Sequence, residues 1–290
     1  MTAATIPVPA PVTDKKTVTG VLTMLASGTS SQVGAGLGAH AFPVIGPAGV
    51  VAVRQFVALA VLLPLARPRV HRFTWRQWWP ALTLGLVFAT MNLTLYLAIE
   101  RIGLGLAVTL EFLGPLAVAL GGSRSRTDAL CAAAAGAGVA VLVWPNPSSD
   151  YLGVAYGLVA ASCWAAYILL NRLLGRRLPG LQGPAVATSV SALIYLPVAA
   201  VLLADGRFTL GATLYAVCAG LLCSAVPYAA DLFVLRRVPA QFFGVFMSVN
   251  PVLAALVGIL VLGQILNPRE WAGVLIVVAA NAIATATQRR

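Results

Sequence analysis

Glu111 stands alone in the apolar run 105–120, GLAVTLEFLGPLAVAL. A carboxylate at bilayer depth costs roughly 2.5–3.5 kcal/mol or more, so such a group faces a protein interior or a wet cavity. There it can hold an ammonium, a proton or another cation. The matching charge is Arg54, near the middle of a second apolar run, 44–66. An amino-acid substrate needs an anion for its ammonium and a cation for its carboxylate. Arg54 and Glu111 can supply both, or can pair with each other as a structural ion pair.

Other polar and aromatic groups lie in similar apolar runs. Gln32 and Asn92 are amides that either join helices or touch a polar ligand. Trp164 and Tyr167 are three residues apart and share a helix face. Tyr96 and Tyr228 fall in two further runs; aromatic walls suit a substrate cavity, and plain packing explains each of them equally well. Asp231 follows Pro227 by four residues, where it either lines the mouth of a cavity or snorkels to balance Arg236 or Arg237. Pro115 and Pro251 free backbone carbonyls within apolar runs and read as hinges or as static bends.

The elements that must position these groups are membrane helices. The chain of 290 residues is 60% hydrophobic and 9% charged, too few charges for a soluble surface of this size. Its mean hydropathy is +0.91. The net charge of +11 lies in short basic clusters between apolar runs, which is topology rather than a nucleic-acid footprint. Cys131, Cys163, Cys218 and Cys223 all lie in apolar runs without metal-ligand spacing and read as small packing residues. His40 and His71 stand apart at a span edge and in a basic loop.

Apolar windows of about 20 residues suffice to cross the hydrocarbon core. Ten are predicted: 18–38, 44–66, 78–99, 102–121, 127–145, 151–172, 183–204, 210–235, 240–263 and 268–287. With the N-terminus inside, fifteen Lys and Arg fall in cytoplasmic segments and three outside, Arg101, Arg207 and Arg269. That asymmetry predicts ten spans with both termini cytoplasmic. Trp75, Trp78 and Trp79 beside a basic loop fit an interfacial belt. Residues 1–17, rich in Pro, Thr and Ala, read as a disordered cytoplasmic tail.

The halves echo each other. Residues 99–120 align without a gap on 235–256 at an offset of 136, matching Arg101 to Arg237 and Pro115 to Pro251. Five spans per half is an odd number, so the halves have opposite orientations. The predicted architecture is therefore an all-α polytopic membrane protein of ten transmembrane helices as two inverted five-helix repeats, 18–145 and 151–287, with the substrate site near the midplane.

The segments 42–54 (FPVIGPAGVVAVR), 105–120, 163–169 (CWAAYIL), 226–231 (VPYAAD) and 243–251 (FGVFMSVNP), with Met91-Asn92, resemble the EamA-type drug/metabolite transporters. The similarity is to their threonine/homoserine exporter branch and runs from about residue 20 to 287. It implies two EamA repeats in an inner membrane and export of small amino acids or related metabolites, driven by protons. It also lifts Gln32 and Asn92 toward the cavity. Two positions depart from that branch: Asn250 stands where such exporters carry Glu before Pro251, and Gln264 where they carry Glu after Leu-Gly. An amide hydrogen-bonds a substrate but carries no proton at neutral pH.

The function class that follows is a secondary transporter without a cofactor. Its partners are a small-molecule substrate, protons and the lipid bilayer, with a homodimer left open and nucleic acid excluded. Efflux of another metabolite or a xenobiotic is the alternative. A membrane enzyme needs clustered acids, His or Cys, and the eight acids here are scattered. No GxxxxGK[ST] motif is present to bind a nucleotide. A cysteine introduced into the 145–150 loop is expected to react with impermeant reagent from outside the cell; labelling from the cytoplasm alone overturns the topology.

Overall fold

The computed structural model describes residues 15–121, 126–142, 150–227 and 248–287. Among them all regular structure is helical: α1 (Lys15–Ala39), α2 (Phe42–Ala66), α3 (Trp75–Ile102), α4 (Leu104–Glu111), α5 (Leu113–Leu120), α6 (Arg126–Leu142), α7 (Tyr151–Gly175), α8 (Gln182–Ala204), α9 (Leu210–Gly220), α10 (Asn250–Leu262) and α11 (Pro268–Thr287). A 3₁₀ turn, Val70–Arg72, and a π-turn, Leu221–Ala225, complete the set. Four helices, α2, α3, α7 and α8, are long and apolar enough to cross a membrane by themselves. Large apolar side chains such as Leu203, Leu260 and Ile265 lie on the outer surface of the bundle, where lipid rather than water suits them.

Helix starts follow their capping residues. The Thr74 and Gln77 side chains form a capping box at α3, and Asn267 and Glu270 exchange the same bonds at α11. Thr209 caps α9, and Asp150 accepts the Gly153 N–H at the start of α7.

The predicted span 102–121 is two half-helices rather than one. Pro115 has no N–H to offer the Glu111 carbonyl four residues earlier, and the helix breaks at Phe112. Pro251 sits at the second residue of α10, where a missing N–H leaves no helical bond unmade, rather than within a helix. A further break lies inside α2 at Gly46, whose φ of 66° favours glycine, immediately before Pro47. The first helix starts at Lys15, inside the segment predicted as a tail. The rest of that tail, together with Tyr228, Asp231, Arg236 and Arg237, lies outside the described residues.

Packing directions follow from contacts at the glycines. Gly157 meets Leu110 and Gly114 meets Trp164, so α7 runs parallel to the α4–α5 pair. Gly28 meets Asn250 and Gly36 meets Val257, so α1 and α10 are also parallel. Gly105 approaches Ala255 and Gly258 approaches Leu104, so α4 and α10 are antiparallel. Gly138 faces Ile276 while Gly273 faces Leu142, which sets α6 against α11 in the same way. Helices α3 and α7 are tied antiparallel at both ends. Arg101 and Asp150 form an ion pair of 2.8 Å at one end, and the Gln77 Nε2 donates to the Arg177 carbonyl at 3.0 Å at the other. The Gly153 N–H and then Arg101 hold the Asp150 carboxyl below the usual carboxylate range, so this tie persists through that range and is lost only as pH falls below it.

The main core joins Ile45 to Ala52 of α2, Tyr96 to Ile99 of α3, Leu104 to Val108 of α4, Tyr195 and Leu202 of α8, and Ala254 and Val257 of α10. Two smaller clusters lie apart from it. One holds Leu84, Leu174 and Val186; the other holds Leu116, Cys131 and Ala280.

Small residues allow these close approaches. A Cβ on Gly114 would run into the Ala161 carbonyl oxygen, whereas nothing lies within 4 Å of one on Gly136. Gly114→Ala is expected to cost about 1–3 kcal/mol. Gly136→Ala should be neutral or stabilising by about 0.5–1 kcal/mol. Thermal unfolding of the detergent-solubilised variants checks the contrast.

Candidate functional site

A cavity of about 300 Å³ opens between α1, α2, α3, the α4–α5 break, α7, α8, the π-turn and α10. Seven of the residues singled out from sequence line it: Gln32, Arg54, Asn92, Glu111, Trp164, Tyr167 and Asn250. Arg54 and Asn92 come from the interiors of long helices, whereas Glu111 ends α4 and Asn250 begins α10, so helix interiors and helix ends meet at the cavity.

Glu111 ends α4, one residue before the break, and is 7% exposed. Arg54 faces the same cavity from α2, two turns beyond the Gly46–Pro47 break. The two charges are close enough to act on each other electrostatically. No direct ion pair joins them, and the Arg101–Asp150 bridge is the one salt bridge among the described residues. Both charged side chains line the cavity, where a polar ligand can reach them.

The amides divide the wall between them. Gln32 Nε2 donates to Asn250 Oδ1 at 3.4 Å, joining α1 to the start of α10. Asn92 Nδ2 turns back on its own helix and donates to the Phe88 carbonyl at 2.8 Å. The aromatic wall is built from two contacts. Phe112 at the break meets Trp164 edge-on with centroids 4.7 Å apart, and Phe88 meets Tyr167 at 5.4 Å.

Tyr96 is placed behind this wall. It is fully buried, its hydroxyl has no hydrogen-bond partner, and the Arg54 guanidinium lies 5.3 Å from its ring centroid. Gln264 is also away from the cavity: its Oε1 accepts the Leu104 N–H at 2.9 Å. Pro115 lies in the first turn of α5, below the break, and Pro251 follows Asn250 at the head of α10.

The cavity also contains polar residues that the sequence did not single out: Ser27, Ser31, Gln55, Thr188, Ser224 and Cys223. Ser27 and Ser31 were findable, being four apart and so on one face of α1. Cys223, read as packing, belongs to the π-turn; its Sγ donates to the Ser31 carbonyl at 3.2 Å. In return Ser30 Oγ donates to the Leu222 carbonyl at 3.0 Å, a group that the π-turn displaces from regular helix bonding.

The fold and the site define a multi-pass membrane protein with a polar central cavity. The EamA-like transporter family matches residues 151–286. The chain is 35% identical over 276 residues to the "Threonine/homoserine exporter RhtA" of Salmonella typhimurium strain LT2, covering 93% of this chain and 92% of that protein. Its identity to the protein of the same name from Escherichia coli K12 is 33% over the same length and coverage. A solved structure described only as "Crystal structure of protein" superposes with a TM-score of 0.60 at 19% identity, covering 96% of this chain and 99% of the other. The chain therefore belongs to the EamA-like transporter family.

The Gln32–Asn250 contact depends on Gly28, where a Cβ would sit 2.8 Å from Asn250 Oδ1. Gly28→Ala should displace the amide and cost about 1 kcal/mol for the lost bond. The cost should shrink in an Asn250→Ala background, because the two residues share one contact. A double-mutant cycle on thermal stability measures it.

Proposed function

We propose that this protein is a secondary transporter exporting small amino acids of the threonine/homoserine type across the inner membrane. The observation that carries the reading is the placement of Arg54 and Glu111 on one cavity without a direct ion pair. A zwitterion fits between them, its carboxylate toward Arg54 and its ammonium toward Glu111. Hydroxyl and amide groups on the remaining wall suit a short polar side chain, and Trp164 and Phe112 close over its apolar part. The curated relatives named for threonine and homoserine export support the same substrate class. Efflux of another small zwitterion is the second reading, since the polar wall is not specific to one side chain.

Both termini lie in the cytoplasm in this reading, and the halves are inverted repeats. Three observations support the repeat. Phe112, where α4 ends, and Ser248, in the turn before α10, are separated by the 136 residues of the sequence alignment. Contacts exchange between halves: α1 packs on α10 as α7 packs on the α4–α5 pair, and α3 packs on α7 as α9 packs on α1. Helix α7, in register with α1, runs parallel to α4–α5 as α1 does to α10, while the odd number of crossings per half reverses the second set. Pro115, after the break at Phe112, and Pro251, at the start of α10, act as paired hinges for alternating access.

Glu111 carries the coupling proton. Binding of a proton and of the substrate ammonium to one carboxylate is mutually exclusive, which gives exchange of one for the other across the membrane. Glu111→Gln keeps shape and hydrogen bonding but cannot titrate. The variant should reach the membrane at near wild-type levels, bind substrate weakly and lose uphill export from amino-acid-loaded cells. A protonophore should abolish export by the unmodified protein. A well-folded Glu111→Gln protein that still concentrates substrate would move the coupling role to Asp231 or away from protons.

A further inference from the structure

We propose that Gln264 is a positioning residue for the half-helix that bears Glu111, and that it latches the outer end of the cavity shut. The inference rests on the transporter reading and its sidedness. The first N–H groups of any helix lack an intrahelical partner, and Gly103 offers α4 no side-chain cap. The cap comes instead from 160 residues away, as Gln264 Oε1 accepts the Leu104 N–H at 2.9 Å.

The seat for that oxygen is built from glycines on both helices. A Cβ on Gly103 would lie 3.0 Å from Gln264 Oε1, and one on Gly258 would lie 2.8 Å from it. Gly103 has a φ of 83°, and Gly263, with a φ of 65°, turns the chain back so that the Gln264 N–H also bonds the Gly258 carbonyl at 3.0 Å. Gln264 is therefore held by its backbone on α10 and by its side chain on α4.

Helix α4 is a rod of eight residues with Gln264 at one end and Glu111 at the other. Beyond Glu111 the chain breaks at Phe112, and Pro115 withholds the bond that would stiffen the junction. Rotation of α4 about Phe112 moves Glu111 and parts the Leu104–Ala107 face from Ala254 and Val257 of α10 in the outer core. The Gln264 bond must break first. The amide is neutral, so the latch does not itself titrate.

Cys223 lines the cavity and serves as reporter once Cys131→Ala, Cys163→Ala and Cys218→Ala remove the other thiols. A membrane-impermeant thiol reagent is added outside intact cells. Gln264→Ala should raise the labelling rate of Cys223 about two- to tenfold, the effect of one lost hydrogen bond. Gln264→Asn, too short to reach Leu104, should behave alike. Gln264→Glu keeps an acceptor and adds a charge favoured at a helix N-terminus, so its rate should stay at or below the parent's. Unchanged labelling in folded Gln264→Ala overturns the latch. So does an equal rise in Gln264→Glu, or failure of both the Ala and Asn variants to fold while Glu folds, which assigns Gln264 to folding alone. The readout needs no substrate, so a chain that labels as expected but exports no amino acid overturns the export reading alone.

Discussion

A charge cannot rest against hydrocarbon, and the arrangement of this bundle follows from keeping Arg54 and Glu111 away from it. Arg54 sits mid-helix and Glu111 ends the half-helix α4, both in a chain that is 60% hydrophobic. Helices from both halves therefore turn their few polar side chains toward one central space. Gln32, Asn92, Asn250 and the hydroxyls of Ser27, Ser31 and Thr188 supply its wetted wall. The apolar side chains left over face outward, where Leu203 and Leu260 meet lipid. The two charges share the cavity without closing on each other as an ion pair.

Broken helices place those groups. In lipid every backbone polar group must be satisfied within the protein, so a break survives only where side chains or a cavity take over the freed groups. The break after Glu111 opens on the cavity and is covered by Phe112 and Trp164. The start of α4 is satisfied by Gln264, and the π-turn carbonyl of Leu222 by Ser30. Helix breaks and the polar cavity thus occupy the same part of the molecule for one reason: both need a polar surrounding that lipid does not provide.

Glycines set how closely the helices approach around that centre. Without an efficient hydrophobic force between helices in lipid, packing contact itself must hold them together. Gly28 and Gly36 bring α1 against α10, and Gly105 brings α4 against the same helix. The larger core lies on the side of α4, α10 and the end of α3, while the opposite side holds two separate clusters. The cavity lies between these unequal ends.

The sequence by itself determined the class of the molecule, because hydropathy and the distribution of basic residues act through the bilayer and need no knowledge of contacts. It also pointed to Glu111, Arg54, Gln32, Asn92, Asn250, Trp164 and Tyr167, since a polar or large aromatic residue in an apolar run is conspicuous wherever it sits. Thr188, Ser224 and Cys223 were not conspicuous: small polar groups in membrane helices commonly bond to their own helix, and only packing against other helices turns them into a wall. Tyr96 looked the same as the other aromatics in sequence, yet helix rotation set it behind Arg54. Gln264 read as a lost acid, and its capping of Leu104 required two segments 160 residues apart to meet. Composition and spacing report what each helix must do with its solvent; which side chains face one another is decided by helix rotation, crossing and breaks, and these exist only in the folded chain.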